Sequence, residues 1–244
     1  MDKAGYTAGW QREFELFWSA VVSADLDTPV PSCPDWTLND LIVHMDTVAR
    51  RYVRRICSPE PPAPEARSTT KNVADPRPAL AESAASLTTS LSTAEFDDTA
   101  WNWAPMADTA WFWFRRAACE TAVHRWDAQM AVTGAEPVAA ELATEGIDEV
   151  LDSFLPAGRR MSESDASGLV HLLATDVDRE WFVRRDGRRY TLVSGDDQDL
   201  PGQPVHARAA GPASDVYLAL WGRVPFSVVD CEGDPELLEA LRAK

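Results

Sequence analysis

Glu120 and His124 stand four residues apart in the run Cys119-Glu120-Thr121-Ala122-Val123-His124-Arg125-Trp126-Asp127. On a helix that spacing puts two side chains about 5–6 Å apart at Cβ, close enough for a carboxylate and an imidazole to bind one ion. A third ligand must come from elsewhere, and His44 is a candidate. Two imidazoles and one carboxylate suit zinc, at bonds of about 2.0–2.2 Å. Three protein ligands leave one position open, the arrangement of a catalytic rather than a structural site. The same residues also admit a mutual Glu120–His124 ion pair without metal, and a partly buried structural histidine at 44.

The elements that must position these groups follow from periodicity. Wound at about 100° per residue, 108–133 reads as one long helix. Arg115, Arg125 and Gln129 share a side that reads as the solvent face. Trp113, Ala117, Glu120, His124, Asp127 and Ala131 lie opposite, flanked by Phe112, Phe114, Val123, Trp126, Met130 and Val132. Charge on the inner side needs a partner or a metal. Asp127 fits either as an acceptor that orients a ligand imidazole or as a partner of backbone or of an arginine.

His44 belongs to a second predicted helix, opened by Thr37 with Asp40 three residues on, in the manner of a capping box. Its apolar stripe is Leu38, Leu41, Ile42, Met45, Val48, Ala49, Tyr52 and Ile56, with His44 at the edge. Arg50, Arg51, Arg54 and Arg55 cover its outer side. A first helix is expected over 6–25, then a rigid proline-rich connection over 28–35. A loop or lid is expected over 58–72, and a third helix over 78–91. Trp101, Trp103, Trp111 and Trp113 gather just ahead of the Glu-His helix, as core or as a pocket wall. A further helix over 138–154 completes a bundle, the setting in which facing helices build metal sites.

Past Leu155 the pattern changes. The stretch 156–165 reads as an interdomain linker, and beyond it the period falls to two. Strands are expected over 169–174, 181–184, 190–193, 205–209 and 226–229, with a hairpin turn at Asp186-Gly187. A helix over 213–221 ends at Gly222, and another closes the chain over 235–241. The expected organisation is a helical bundle over 1–157 and a small α+β domain over 166–244.

A net charge of −16 with no basic run argues against a nucleic-acid or anionic-membrane surface. No apolar stretch approaches the roughly 20 residues of a membrane span. The N-terminus lacks a charged region followed by an apolar one, so cytoplasmic is the default expectation. Cys33, Cys57, Cys119 and Cys231 form no CxxC pair, which argues against a zinc finger and a disulfide framework.

Three pieces of the chain together resemble the mycothiol-dependent maleylpyruvate isomerase family, one branch of the DinB-like metal-binding four-helix bundles. They are Val30-Pro31-Ser32-Cys33-Pro34-Asp35-Trp36-Thr37 followed by His44; the Glu120 to Asp127 run; and Gly211-Pro212-Ala213-Ser214-Asp215 with Leu220-Trp221-Gly222-Arg223. The resemblance covers nearly the whole chain, in order. It implies that His44, Glu120 and His124 bind zinc; the sequence itself leaves nickel or iron open. The resemblance implies a sterol-carrier-like C-terminal α+β domain, and mycothiol as the source of sulfur. It also sets Arg223 where the isomerase has an arginine needed for activity; interaction with the carbonyls at its own helix end is the plainer reading.

The chemistry this implies is attack by a metal-bound thiolate on a small electrophilic or unsaturated-acid substrate. Addition and elimination about a conjugated double bond make an isomerase, and sulfur kept on the product makes an S-transferase. No cysteine falls on the Glu120–His124 face, Cys119 being about 100° away, so a thiol supplied by a cosubstrate fits better than an internal nucleophile. Two other readings stand: a hydrolase using zinc-bound water, and a non-catalytic metal- or ligand-binding protein.

Overall fold

A computed structural model of the chain describes residues 1–62, 74–159, 164–194, 200 and 202–243. Most of the expected loop over 58–72 lies outside these residues, as does the middle of the 156–165 stretch. The chain divides into two compact units. One comprises Met1–Asn102 with Met106–Glu136, the other Trp103–Pro105 with Pro137–Lys244.

Among the described residues the first unit holds four helices: α1 (Lys3–Val21), α2 (Leu38–Ile56), α3 (Arg77–Thr93) and α4 (Trp111–Val132). Asp2 caps α1 by accepting from the Gly5 amide at 2.7 Å. Thr37 and Asp40 form the expected capping box at the start of α2: the Thr37 amide donates to Asp40 Oδ2 at 3.0 Å, and Thr37 Oγ1 accepts from the Asp40 amide. Satisfying these end amides fixes where α2 begins, and with it which residues face inward. α4 packs against α1 and α2, while α3 packs against α2. Phe17, Val21, Leu38, Leu41, Ile42, Met45, Leu80 and Ala128 form a core from all four helices.

α4 has no solvent face where one was expected. Arg115, Arg125 and Gln129 are all buried. Arg125 donates from Nε to Glu13 Oε2 at 2.7 Å and from Nη1 to Gln129 Oε1 at 2.8 Å. The physical reason is Glu13, which α1 carries on its inward side and which turns the Arg125 side of α4 into an interior, ion-paired one. Arg115 lays its guanidinium over the Trp111 ring at 4.5 Å, and a weakly hydrated planar cation tolerates that surrounding. Arg55, expected on the outer side of α2, is also buried, with its guanidinium 5.9 Å from the Trp101 ring centroid. Met130 and Val132, expected on apolar flanks, are exposed in the last turn of α4.

The second unit opens with α5 (Ala140–Glu149), which widens into a π turn over Val150–Phe154. This helix was expected to complete the bundle. It packs instead on α6 (Ala213–Leu220), so the compact units divide after Glu136 rather than near 157. Gly146 is what permits the approach, because a Cβ there would lie 2.2 Å from the Tyr217 ring.

The sheet of this unit runs β3-β2-β1-β4-β5, with β1 (Gly168–Ala174), β2 (Arg179–Asp186), β3 (Arg189–Val193), β4 (Ala207–Gly211) and β5 (Asp230–Gly233). β1 and β4 are parallel and the other pairs antiparallel. Gly187, at φ +55°, makes the expected hairpin turn. The segment expected as a strand over 226–229 is instead a short 3-10 turn, Phe226–Val228, that follows Pro225 and buries Phe226. The strand is β5, whose four residues are all exposed at the sheet edge and carry no apolar alternation to announce it. α7 (Pro235–Glu239) closes the chain. Among the described residues no helix is long and apolar enough to cross a membrane.

The tryptophans do not form one wall. Trp113 is buried against Tyr52 and Phe112 and donates Nε1–H to the Trp101 carbonyl at 2.9 Å, whereas Trp103 belongs to the second unit and packs on Phe154.

Candidate metal centre

α4 presents Arg116, Glu120 and His124 at successive four-residue steps, so the three side chains stack along one line of the helix. α2 faces that line with His44 and Tyr52. Glu120 Oε1 lies 3.2 Å from His44 Nε2 and 3.4 Å from His124 Nε2. One ligand atom from each of His44, Glu120 and His124 lies within 4.8 Å of the other two. A tetrahedral ion with bonds of about 2.0–2.1 Å has ligand–ligand edges of roughly 3.3–3.4 Å, which the two measured edges match. The donor set therefore fits a divalent metal in chemistry and, along the two edges that meet at Glu120, in spacing. Side-chain exposure is 27 % at His44, 14 % at Glu120 and 9 % at His124, so the cluster is reached from the His44 side.

The connection between α1 and α2 completes the site. Backbone bonds from the Val30 amide to the Trp36 carbonyl (2.9 Å), from Trp36 to Cys33 (2.8 Å) and from Cys33 to Val30 (3.0 Å) fold it on itself. That closure brings the Trp36 ring to 5.1 Å from the His44 ring and 6.3 Å from the His124 ring. It also delivers Ser32 Oγ to Asp127 Oδ1 at 2.5 Å, while Asp127 Oδ2 meets His124 Nδ1 at 2.9 Å. Asp127 is wholly buried. A carboxylate on Nδ1 keeps the proton there and leaves the Nε2 lone pair turned toward Glu120. Contact with the imidazole, one of the alternatives open for Asp127, is observed.

On the other flank, Glu120 Oε2 is paired with Arg116 Nη2, and Arg116 Nε donates to the Tyr52 hydroxyl at 3.2 Å. Trp36, Ser32, Arg116 and Tyr52 all bear on the cluster without having been assigned to it from sequence. Arg116 was legible as the residue one turn before Glu120. The loop residues were not, because no period governs them. Cys33 arrives by the same loop, its Sγ 4.0 Å from Asp127 Oδ2. Its contact is with the carboxylate behind His124.

Arg223 lies in the second unit, one residue past Gly222. The Gly222 amide bonds to the Ala219 carbonyl at 2.9 Å and the Arg223 amide to the Leu218 carbonyl at 2.8 Å, a Schellman closure of α6 with Gly222 at φ +67°. Arg223 Nη1 donates to the Trp221 carbonyl at 3.0 Å, the helix-end interaction read from sequence as its plainer role.

Two family models match the chain. The mycothiol maleylpyruvate isomerase N-terminal domain matches residues 8–129, and the MDMPI C-terminal domain matches residues 141–240. Among solved structures, the crystal structure of the mycothiol-dependent maleylpyruvate isomerase is similar at a TM-score of 0.64 and 13 % identity, covering 95 % of this chain and 93 % of that one. A histidine-to-alanine mutant of that isomerase matches with the same values. At this identity the likeness is one of fold. No curated protein matches the chain.

Proposed function

We propose, since this chain belongs to the mycothiol maleylpyruvate isomerase family of enzymes, that it is a metal-dependent enzyme bringing the thiol of mycothiol to a small electrophilic or unsaturated-acid substrate. It acts as an S-transferase or a cis–trans isomerase. The observation that carries this reading is the convergence of His44, Glu120 and His124 from two helices on one point. Two imidazoles with one carboxylate favour zinc, and nickel or iron take the same donors. A divalent ion bound there supplies Lewis acidity that draws a thiol toward its thiolate form at neutral pH.

The chain's own groups set the conditions. Asp127 holds the His124 ring with Nε2 inward. Glu120 turns Oε1 to both imidazoles. Trp36 covers the two histidine rings with an apolar face that limits water. Arg223 is proposed to hold a substrate carboxylate or to stabilise a developing enolate, on the resemblance of Leu220-Trp221-Gly222-Arg223 to the family. A thiolate adding to a conjugated double bond leaves a single bond that can rotate, and elimination then returns the thiol. Where the substrate carries a leaving group, sulfur remains on the product.

The test is metal analysis of the purified protein, followed by incubation with mycothiol and a panel of electrophiles and unsaturated acids, with mass spectrometry for thiol adducts and chromatographic separation of cis and trans acids for isomerisation. Wild type is expected to bind about one metal ion per chain and to give thiol adducts or isomerised acid only with mycothiol. His124→Ala should lose both. Turnover without any thiol would replace this reading with a hydrolase, and bound metal that yields neither thiol adduct nor isomerised acid with mycothiol would make the site non-catalytic.

A further inference from the structure

Resting on that reading, the geometry points to Arg116, held by Tyr52, as a positioning residue that restricts Glu120 to one metal-binding oxygen. A carboxylate offers two oxygens, and a divalent ion takes either one or both. Here they are divided between different tasks. Oε2 is engaged by Arg116 Nη2, and Oε1 is the oxygen that faces His44 Nε2 and His124 Nε2. Arg116 is itself buried, with 4 % of its side chain exposed, so its charge is weakly screened by water at the site.

The guanidinium is oriented as well as placed. Its Nε–H is taken by the Tyr52 hydroxyl at 3.2 Å, which points the terminal nitrogens along α4 toward Glu120. The Tyr52 ring is in turn wedged against Trp113 at 5.4 Å. Arg116 and Glu120 are one turn apart on a rigid helix, so the pair keeps its register whatever occupies the cluster.

Two consequences follow for a bound ion. Single-oxygen attachment keeps the protein's share at three donors and leaves a coordination position for sulfur. Neutralising part of the Glu120 charge also makes it a weaker donor, so the ion retains more of its pull on an incoming thiol. With the guanidinium removed, Glu120 is free to chelate through both oxygens, which raises the coordination number and closes the space meant for the thiol.

Cobalt(II) reports this directly, because its visible absorption is strong in four-coordinate sites and weak when the coordination number rises. Wild type, Arg116→Gln, Arg116→Lys and Tyr52→Phe are loaded with cobalt, titrated for affinity and scanned, with circular dichroism as the check of fold. Arg116→Gln is expected to bind the metal severalfold more tightly, because Glu120 then chelates through both oxygens with no buried cation beside the ion, and to lose most of the strong visible bands. Arg116→Lys should return part of the way to wild type in both, and Tyr52→Phe should shift them the same way as Arg116→Gln by less. A folded Arg116→Gln with wild-type affinity and spectrum overturns the inference. Should that variant not fold, unchanged bands in Tyr52→Phe do so. Wild type and His124→Ala taking up cobalt alike would instead remove the metal site itself, and this inference with it.

Discussion

The Asp127 carboxylate meets His124 Nδ1 through Oδ2 at 2.9 Å, while its Oδ1 takes the Ser32 hydroxyl at 2.5 Å. One buried acidic group thus ties the loop between α1 and α2 to the ring proposed to present Nε2 to an ion. The three-residue step along α4 makes the contact local, and the loop makes it rigid.

Asp127→Ala is therefore expected to weaken metal binding by about 10- to 100-fold while leaving all three ligands in place. Competition against a chromophoric chelator measures it, with far-ultraviolet circular dichroism to show that the helices persist. Affinity equal to wild type would mean that the His124 ring needs no such anchor.

Arg125 and Glu13 form a buried ion pair at 2.7 Å. Removing one member leaves the other charge stranded, which costs about 3–5 kcal/mol. Arg125→Met should lose that much in denaturant unfolding. The double variant Glu13→Gln/Arg125→Met should recover part of the loss, because no charge is then left alone. Strictly additive single effects would contradict the pairing.

Replacing a helical glycine by alanine ordinarily stabilises by about 1 kcal/mol. Gly146→Ala reverses the sign, since its Cβ would lie 2.2 Å from the Tyr217 ring and force α5 off α6. A loss of about 1–3 kcal/mol is expected from overpacking. A raised melting temperature would show that the two helices part without cost.

Burial raises the carboxyl pKa of Asp148, against the opposing pull of the Trp181 indole hydrogen bond and the Arg179 charge. A folded pKa above the unfolded one means that the native state binds more protons. The contribution to stability is complete below the ordinary carboxylate value of about 3.9, and it is lost as pH rises through the raised one. Asp148→Asn does not titrate, so its melting temperature relative to wild type should climb as pH rises above the ordinary carboxylate value of about 3.9. A constant offset across that range would remove burial as the dominant cause.

How much of this was legible varies by element. The capping box at Thr37 and Asp40, the Gly187 hairpin and the Gly222 helix end all appear as expected, because each depends on backbone groups within a few residues. β5 was missed because an exposed edge strand carries no apolar alternation. The helix over 138–154 was read correctly as helical and assigned to the wrong neighbour, since its stripe of Leu142, Ile147 and Val150 says only that it packs, not upon what.

The candidate site divides along the same line. The α4 sequence by itself determined that Glu120 and His124 share one side of a helix, and the α2 pattern that His44 edges an apolar stripe; both are consequences of a fixed 3.6-residue turn. Only the tertiary structure decided that Arg115 and Arg125 lie inside, that Arg116 occupies one oxygen of Glu120, and that Trp36 and Ser32 come to the histidines by a loop. The reason is physical: whether a charged side chain meets water or a partner depends on what a distant segment brings to it, and local periodicity carries no record of that segment.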